Sequence, residues 1–152
     1  MSQMTDELAV RKSVFVRCTP EHAFRTYTER MSEWFPFKDH SIYDDVDHVV
    51  WEGRVGGRVY EVAKSGEEGL WGTVIVWDPP NGLAMTWHPD RGEETAQELE
   101  VRFTAEGDGT RVDVVHTGWE RIGPDFRERM AGYDTGWGFV LGFFVEAAGK
   151  ES

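Results

Sequence analysis

The chain is poor in several features that usually announce a function. It holds one cysteine, Cys18, so it forms no internal disulfide, which fits a reducing compartment. Positive charge is scarce: 16 Lys and Arg stand against 28 Asp and Glu, for a net charge of −12. Nucleic acids and anionic membrane surfaces both demand clustered positive charge, and this balance argues against either as a partner. No stretch approaches the roughly 18 apolar residues that span a bilayer. The opening M-S-Q-M-T-D-E-L lacks the basic and apolar regions of a secretory signal. The expectation is a cytoplasmic protein with no membrane insertion.

Metal-binding and nucleophile motifs are missing as well. There is no H-E-x-x-H, C-x-x-C or paired-histidine spacing, and no G-x-S-x-G. The acidic run at 39–47, with His40 and His48 nearby, lacks the D-x-D-x-D-G order of a calcium loop and reads as a solvated loop. Gly56-Gly57 is followed by no helix, so it is a hairpin turn and not a phosphate cradle. Cys18 has no placed histidine beside it and reads as a small apolar filler. No metal and no cofactor are expected.

Aromatic residues are plentiful: seven Trp, nine Phe and four Tyr in 152 residues. Rings on that scale fill a large core or wall a pocket, because wide rings leave gaps that smaller side chains would close. The length suits one domain over residues 1–152, with 1–8 expected to be flexible.

One segment, 121–148, carries a helical period. Ile122, Phe126, Met130, Tyr133, Trp137, Val140, Leu141 and Phe144 recur at steps of three and four and line up one apolar stripe. Gly123-Pro124 reads as its start. Gly132, Gly136, Gly138 and Gly142 sit inside it, each costing about 1 kcal/mol relative to Ala. Such a helix needs outside support, or a reason for bending or close approach.

The remainder reads as strands. Residues 10–17 alternate with period two. Thr19-Pro20 opens a short helix through Phe24 and Tyr27, and Met31, Trp34 and Phe35 suggest a second that Pro36 stops. Six further strands follow at 48–53, 58–63, 70–77, 83–88, 95–105 and 110–119, separated by Gly-, Pro-, Asp- and Asn-rich turns. Connections this short make neighbours antiparallel, giving seven strands in one meander-like sheet. Leu83, Met85 and Trp87 form a dry row, as do Leu99, Val101 and Phe103; the strand at 70–77 is apolar on both faces, and its pattern does not choose a side. Only the C-terminal helix is long enough to cover the dry face.

This order of elements, with V-G-G-R-V-Y (55–60), L-W-G-T-V and W-D-P-P-N-G-L-A-M-T-W (within 70–87), G-T-R-V-D-V-V-H-T-G-W (109–119) and G-W-G-F-V-L (136–141), resembles the START/Bet v 1-like (SRPBCC) superfamily. Within it, the match is to the group named after the C-terminal domain of the activator of Hsp90 ATPase. The resemblance implies an α+β helix-grip fold: a curved seven-stranded antiparallel sheet around a long C-terminal helix, two short helices after the first strand, and a cavity between helix and sheet. It implies functions that range from lipid or hormone carriage to polyketide cyclisation and binding alone. Hsp90 activation in that group also depends on a separate N-terminal domain, which a chain opening on the first strand is not expected to carry.

Candidates for the cavity follow. Trp34, Trp51, Trp71, Trp87 and Trp137 are candidate walls, with Met85, Met130 and Leu141 beside them. His116 shares a strand face with Val112 and Val114 and, if it reaches the cavity, is a candidate ligand contact or general base; as a buried residue it would instead be satisfied by its neighbours. Tyr133 and Asp134 offer a hydroxyl and a carboxylate. Tyr60 and Arg58, read as lying on opposite faces, send at most one side chain inward. The expected function is binding of a hydrophobic or aromatic small molecule. The alternatives are a cofactor-free cyclase, dehydratase or hydrolase using the same cavity, and a chaperone-interacting or regulatory protein. Homodimerisation is left open.

Overall fold

Period-two apolar patterning sets the strands, and the turns between them set their order. A computed structural model of the chain describes residues 8–37, 40–89 and 95–150. The expectations for residues 1–7, for Asp39 and for the turn at 90–92 fall outside the described residues. β1 (Val10–Val16) leads to α1 (Pro20–Tyr27) and α2 (Met31–Trp34). Then come β2 (Val46–Trp51), β3 (Arg58–Ala63), β4 (Glu68–Asp78), β5 (Gly82–Trp87), β6 (Gln97–Glu106) and β7 (Gly109–Thr117). A 3-10 turn at Trp119–Ile122 precedes the long helix α3 (Phe126–Lys150). The sheet order is β1-β7-β6-β5-β4-β3-β2, antiparallel throughout: a meander from β2 to β7, with β1 added to the free side of β7. The sheet curls into a half-barrel that grips α3, which is the helix-grip fold.

Local chemistry explains most boundaries. The Thr19 hydroxyl accepts the His22 amide at 3.1 Å and Pro20 occupies the first turn of α1, whose Ala23, Phe24 and Tyr27 are buried. The long helix begins later than Gly123-Pro124 suggests. Gly118 (φ 87°) and Gly123 (φ 119°) bracket the 3-10 turn, in which Trp119 is fully buried, so the chain turns once around that indole before α3 starts. From there the apolar stripe behaves as its spacing requires: Trp137, Val140, Leu141, Phe144 and Ala148 are buried, and Phe126, Met130 and Tyr133 are half-buried.

β4 is where the sequence pattern is ambiguous, and the geometry shows why. Its pairing with β3 skips Trp71, and its pairing with β5 skips Ile75. Each extra residue resets the alternation and sharpens the curl. Trp71 and Val74 therefore both point inward although their parity differs, while Leu70, Ile75 and Val76 are exposed. Gly72 lies beside the first irregularity, and a Cβ there would overlap the Thr86 carbonyl oxygen on β5. Gly72→Ala is expected to push β4 from β5 and lower stability by about 1–3 kcal/mol, read from urea unfolding.

The core fills the end of the molecule where α1 and α2 meet the sheet. Tyr27 lies 5.7 Å from Phe144, 5.8 Å from Trp34 and 6.0 Å from Trp51, ring centre to ring centre. At the other end α3 runs nearest β1, tied by Lys12 to Asp134 at 3.3 Å, and stands off from the middle strands.

Candidate functional site

That stand-off leaves a cavity of about 710 Å³ between α3, the Trp71 and Trp87 ends of β4 and β5, and the segment carrying His40, Ser41 and Ile42. Its size falls in the range of small-molecule sites, about 300–1,000 Å³. Trp71, Trp87, Trp137 and Phe35 form aromatic walls, completed by Ile42, Val140 and Pro89. The helix side is Arg129, Gly132, Tyr133, Gly136, Trp137 and Val140, one face at steps of three and four. Arg129 and Gly132 are exposed and mark the open side.

The helical glycines take their meaning here. A Cβ built on Gly132, Gly136, Gly138 or Gly142 meets no atom within 4 Å, so none is there to let the protein's own backbone approach. Gly132 and Gly136 line the cavity, where each missing side chain leaves room beside the helix. Gly138 and Gly142 face outward and are exposed.

The structure sorts the sequence candidates. Trp71, Trp87, Tyr133 and Trp137 come together in the lining. Met130 and Leu141 lie on the same helix but outside it, Leu141 fully buried in the core. Met85 is fully buried beneath the sheet face. Trp34 and Trp51 belong to the opposite end: the Trp34 indole N–H donates to the Thr26 carbonyl at 2.7 Å and that of Trp51 to the Met31 sulfur at 3.4 Å. Trp34 lines a second, smaller hollow of about 200 Å³ there. Tyr60 is on the outer face. Residues two apart in a strand share a face, so Arg58 and Tyr60 are neighbours, not opposites, and the guanidinium lies 4.4 Å from the ring centre. Asp134 is one residue off the helix stripe, exposed and paired with Lys12.

His116 is behind the wall. It is fully buried, and both ring nitrogens are engaged: Nδ1 accepts the Trp137 indole N–H at 3.1 Å, and Nε2 faces the Gln97 side-chain oxygen at 2.8 Å. An indole only donates, so the imidazole proton sits on Nε2 and is given to Gln97. Burial pulls the His116 pKa from 6.5 down to about 3, and the ring is neutral. It orients Trp137 and, through its carbonyl, Trp119, whose N–H it accepts at 2.8 Å. His88 is also buried and outside the lining; its amide donates to the Trp71 carbonyl. Burial raises the Cys18 thiol, which disfavours a thiolate.

Tyr133 supplies the lining's exposed hydroxyl chemistry. Its oxygen accepts the Trp87 N–H at 3.0 Å, and its own hydrogen has no acceptor among the described residues. A ligand oxygen can take that hydrogen.

Sequence reasoning missed Glu61. It is fully buried, yet its carboxylate accepts three neutral donors: the amides of Ile42 (2.9 Å) and Tyr43 (2.7 Å) and the Trp71 indole N–H (2.7 Å). One side chain thus fixes both a wall indole and the loop that closes the cavity's flank. The available signal was a carboxylate between Val59 and Ala63 on the inward side of a strand. Among the described residues no cluster of three His, Cys, Asp or Glu could hold a metal ion, and no helix is long and apolar enough to cross a membrane.

Residues 17–148 match the family described as activator of Hsp90 ATPase homolog 1-like protein. No curated protein matches the chain. Among solved structures it is similar to the anthrahydroquino-gamma-pyrone synthase Txn09, at 36% identity over 79% of this chain and 82% of that one, with a TM-score of 0.58. It is also similar to CalC, a self-sacrificing resistance protein of Micromonospora echinospora, at 31% identity over 95% and 96%, TM-score 0.72. The Aha1 dimer of Colwellia psychrerythraea shares the fold at 15% identity over 92% and 95%, TM-score 0.69.

Proposed function

The chain belongs to the activator of Hsp90 ATPase homolog 1-like family, and from that membership together with the hollow beside α3 we propose that it binds a hydrophobic or aromatic small molecule there. The observation that carries this reading is the aromatic-walled cavity with a helix face left bare at Gly132 and Gly136. Five glycines in one helix are an expense in stability that packing does not explain. Space for a guest explains two of them. Tyr133 donates to the guest's polar end, and Trp71, Trp87 and Trp137 cover its apolar body. The similar proteins point the same way, being by name a pyrone synthase and a resistance protein. The lone buried Cys18 fits a reducing, cytoplasmic location.

The test compares two substitutions one turn face apart. Gly136→Leu fills the cavity, and Gly138→Leu points outward. Screening hydrophobic aromatics by tryptophan quenching and thermal shift should find ligands whose affinity falls at least tenfold in Gly136→Leu, which is about 1.4 kcal/mol, and stays unchanged in Gly138→Leu. Equal affinities in all three proteins would defeat the reading.

The 36% identity to a synthase favours an enzyme as the second reading. His116 is a poor general base, because both its nitrogens are engaged and its pKa is about 3. The acid would be Tyr133. Tyr133→Phe should then stop turnover of a cavity ligand while leaving its binding largely intact.

A further inference from the structure

The one arginine among the described lining residues tells something about the cavity's guest. Arg129 lies in the lining at the open end, one helical turn before Tyr133, and it makes no ion pair or hydrogen bond among the described residues. Elsewhere Arg17, Arg30, Arg58, Arg102 and Arg111 each hold a carboxylate within 4 Å. Among the described residues of the lining there is no Asp or Glu. An arginine without a carboxylate partner among the described residues therefore stands one helical turn from a tyrosine O–H that lacks an acceptor there. Both groups seek negatively charged or strongly accepting oxygen.

Building on the proposed binding function, we infer that the guest is an aromatic anion: its fused rings lie between Trp71, Trp87 and the bare backbone at Gly132 and Gly136, and its acidic oxygens meet Arg129 and Tyr133. Arg129 and Gly136 are two turns apart, about 10 Å along the helix axis, which gives a fused-ring body room behind the charged end. Arg129 sets specificity for charge; the glycines set it for flatness.

Two fluorescent probes separate charge from shape. Anilinonaphthalenesulfonate and N-phenylnaphthylamine share a ring system and differ in the sulfonate. The protein should prefer the sulfonate by roughly tenfold or more, the lower end of what a hydrogen bond to a charged group contributes, with the preference shrinking as salt is raised. Arg129→Gln should erase that preference and leave N-phenylnaphthylamine binding unchanged. Arg127→Gln removes the same charge from the same helix, where the guanidinium stacks on Phe126 outside the lining, and should change neither. The inference is overturned if the protein shows no preference, if Arg129→Gln preserves it, or if Arg127→Gln erases it equally. If both probes bind but Gly136→Leu displaces neither, the binding site itself is elsewhere and the proposed function falls with the inference. If Gly136→Leu displaces both and Arg129→Gln changes nothing, only the anionic guest is wrong.

Discussion

Replacing Glu61 by Ala is expected to lower the free energy of unfolding by about 3–5 kcal/mol, one of the two largest effects foreseen for this chain. The carboxylate has no cation opposite it; it is held by the Ile42 and Tyr43 amides and the Trp71 indole. Truncation strands the buried Trp71 indole and the part-buried Ile42 and Tyr43 amides at once, and each unsatisfied group costs about 1–3 kcal/mol unless water enters. For a domain of this size the loss corresponds to a fall in Tm of about 6–20 °C. Glu61→Gln keeps the shape but turns an NH₂ toward a donor, so it should be destabilising by a smaller amount. Because Ile42 and Trp71 both line the cavity, the same variants should weaken ligand binding even at temperatures where they stay folded. A Glu61→Ala protein with unaltered urea midpoint would show that the loop is held by something else.

Acid should destabilise the protein through His116. In the unfolded chain this histidine takes up its proton near pH 6.5, whereas in the folded protein burial delays protonation to about pH 3. Below pH 6.5 the unfolded state therefore binds more protons, and stability falls with pH until about pH 3. The slope from this one group approaches about 1.4 kcal/mol per pH unit, summing to roughly 4–5 kcal/mol across the window. His116→Gln can still accept from Trp137 and does not titrate. Urea unfolding between pH 6.5 and 5, where most carboxylates remain ionised, should thus show a shallower loss in His116→Gln than in the parent. Parallel slopes would mean that His116 protonates without leaving its place. The folded ring stays neutral throughout this window and keeps its hydrogen bond from Trp137, so the tryptophan emission of the folded protein should hold steady between pH 6.5 and 5.

Much of the architecture was legible because it rests on strong local signals. Thr19-Pro20, the 3.6-residue stripe of α3 and short polar turns between alternating segments each act through near neighbours, and all seven strands fall where they were expected. The site was legible only in part, because membership depends on geometry that alternation does not carry. The irregularities at Trp71 and Ile75 reset β4 and bring Trp71 inward. Trp34 and Trp51 share the chemistry of the cavity walls but pack at the other end of the core, and Met85, on the same strand as Trp87, is fully buried. Asp134, beside the helix stripe, reads as a carboxylate for the cavity, but one residue is about 100° around a helix, and Asp134 is exposed and pairs with Lys12. Glu61 and Arg129 were passed over for a common reason: charged residues are read by default as solvated surface, whereas Glu61 is buried and Arg129 borders a hollow.

β1 meets β7 across more than a hundred residues, Val10 opposite His116, whereas every other pair of adjacent strands is joined by a short connection. Closing a loop of that length costs about 4 kcal/mol of chain entropy, so the meander from β2 to β7 can zip locally and β1 must be captured afterwards. On the ribosome the order of events is awkward. The first strand to emerge is the one whose partner is made nearly last, and a nascent chain halted before residue 109 exposes Val10, Val14 and Val16 with nothing to pair against.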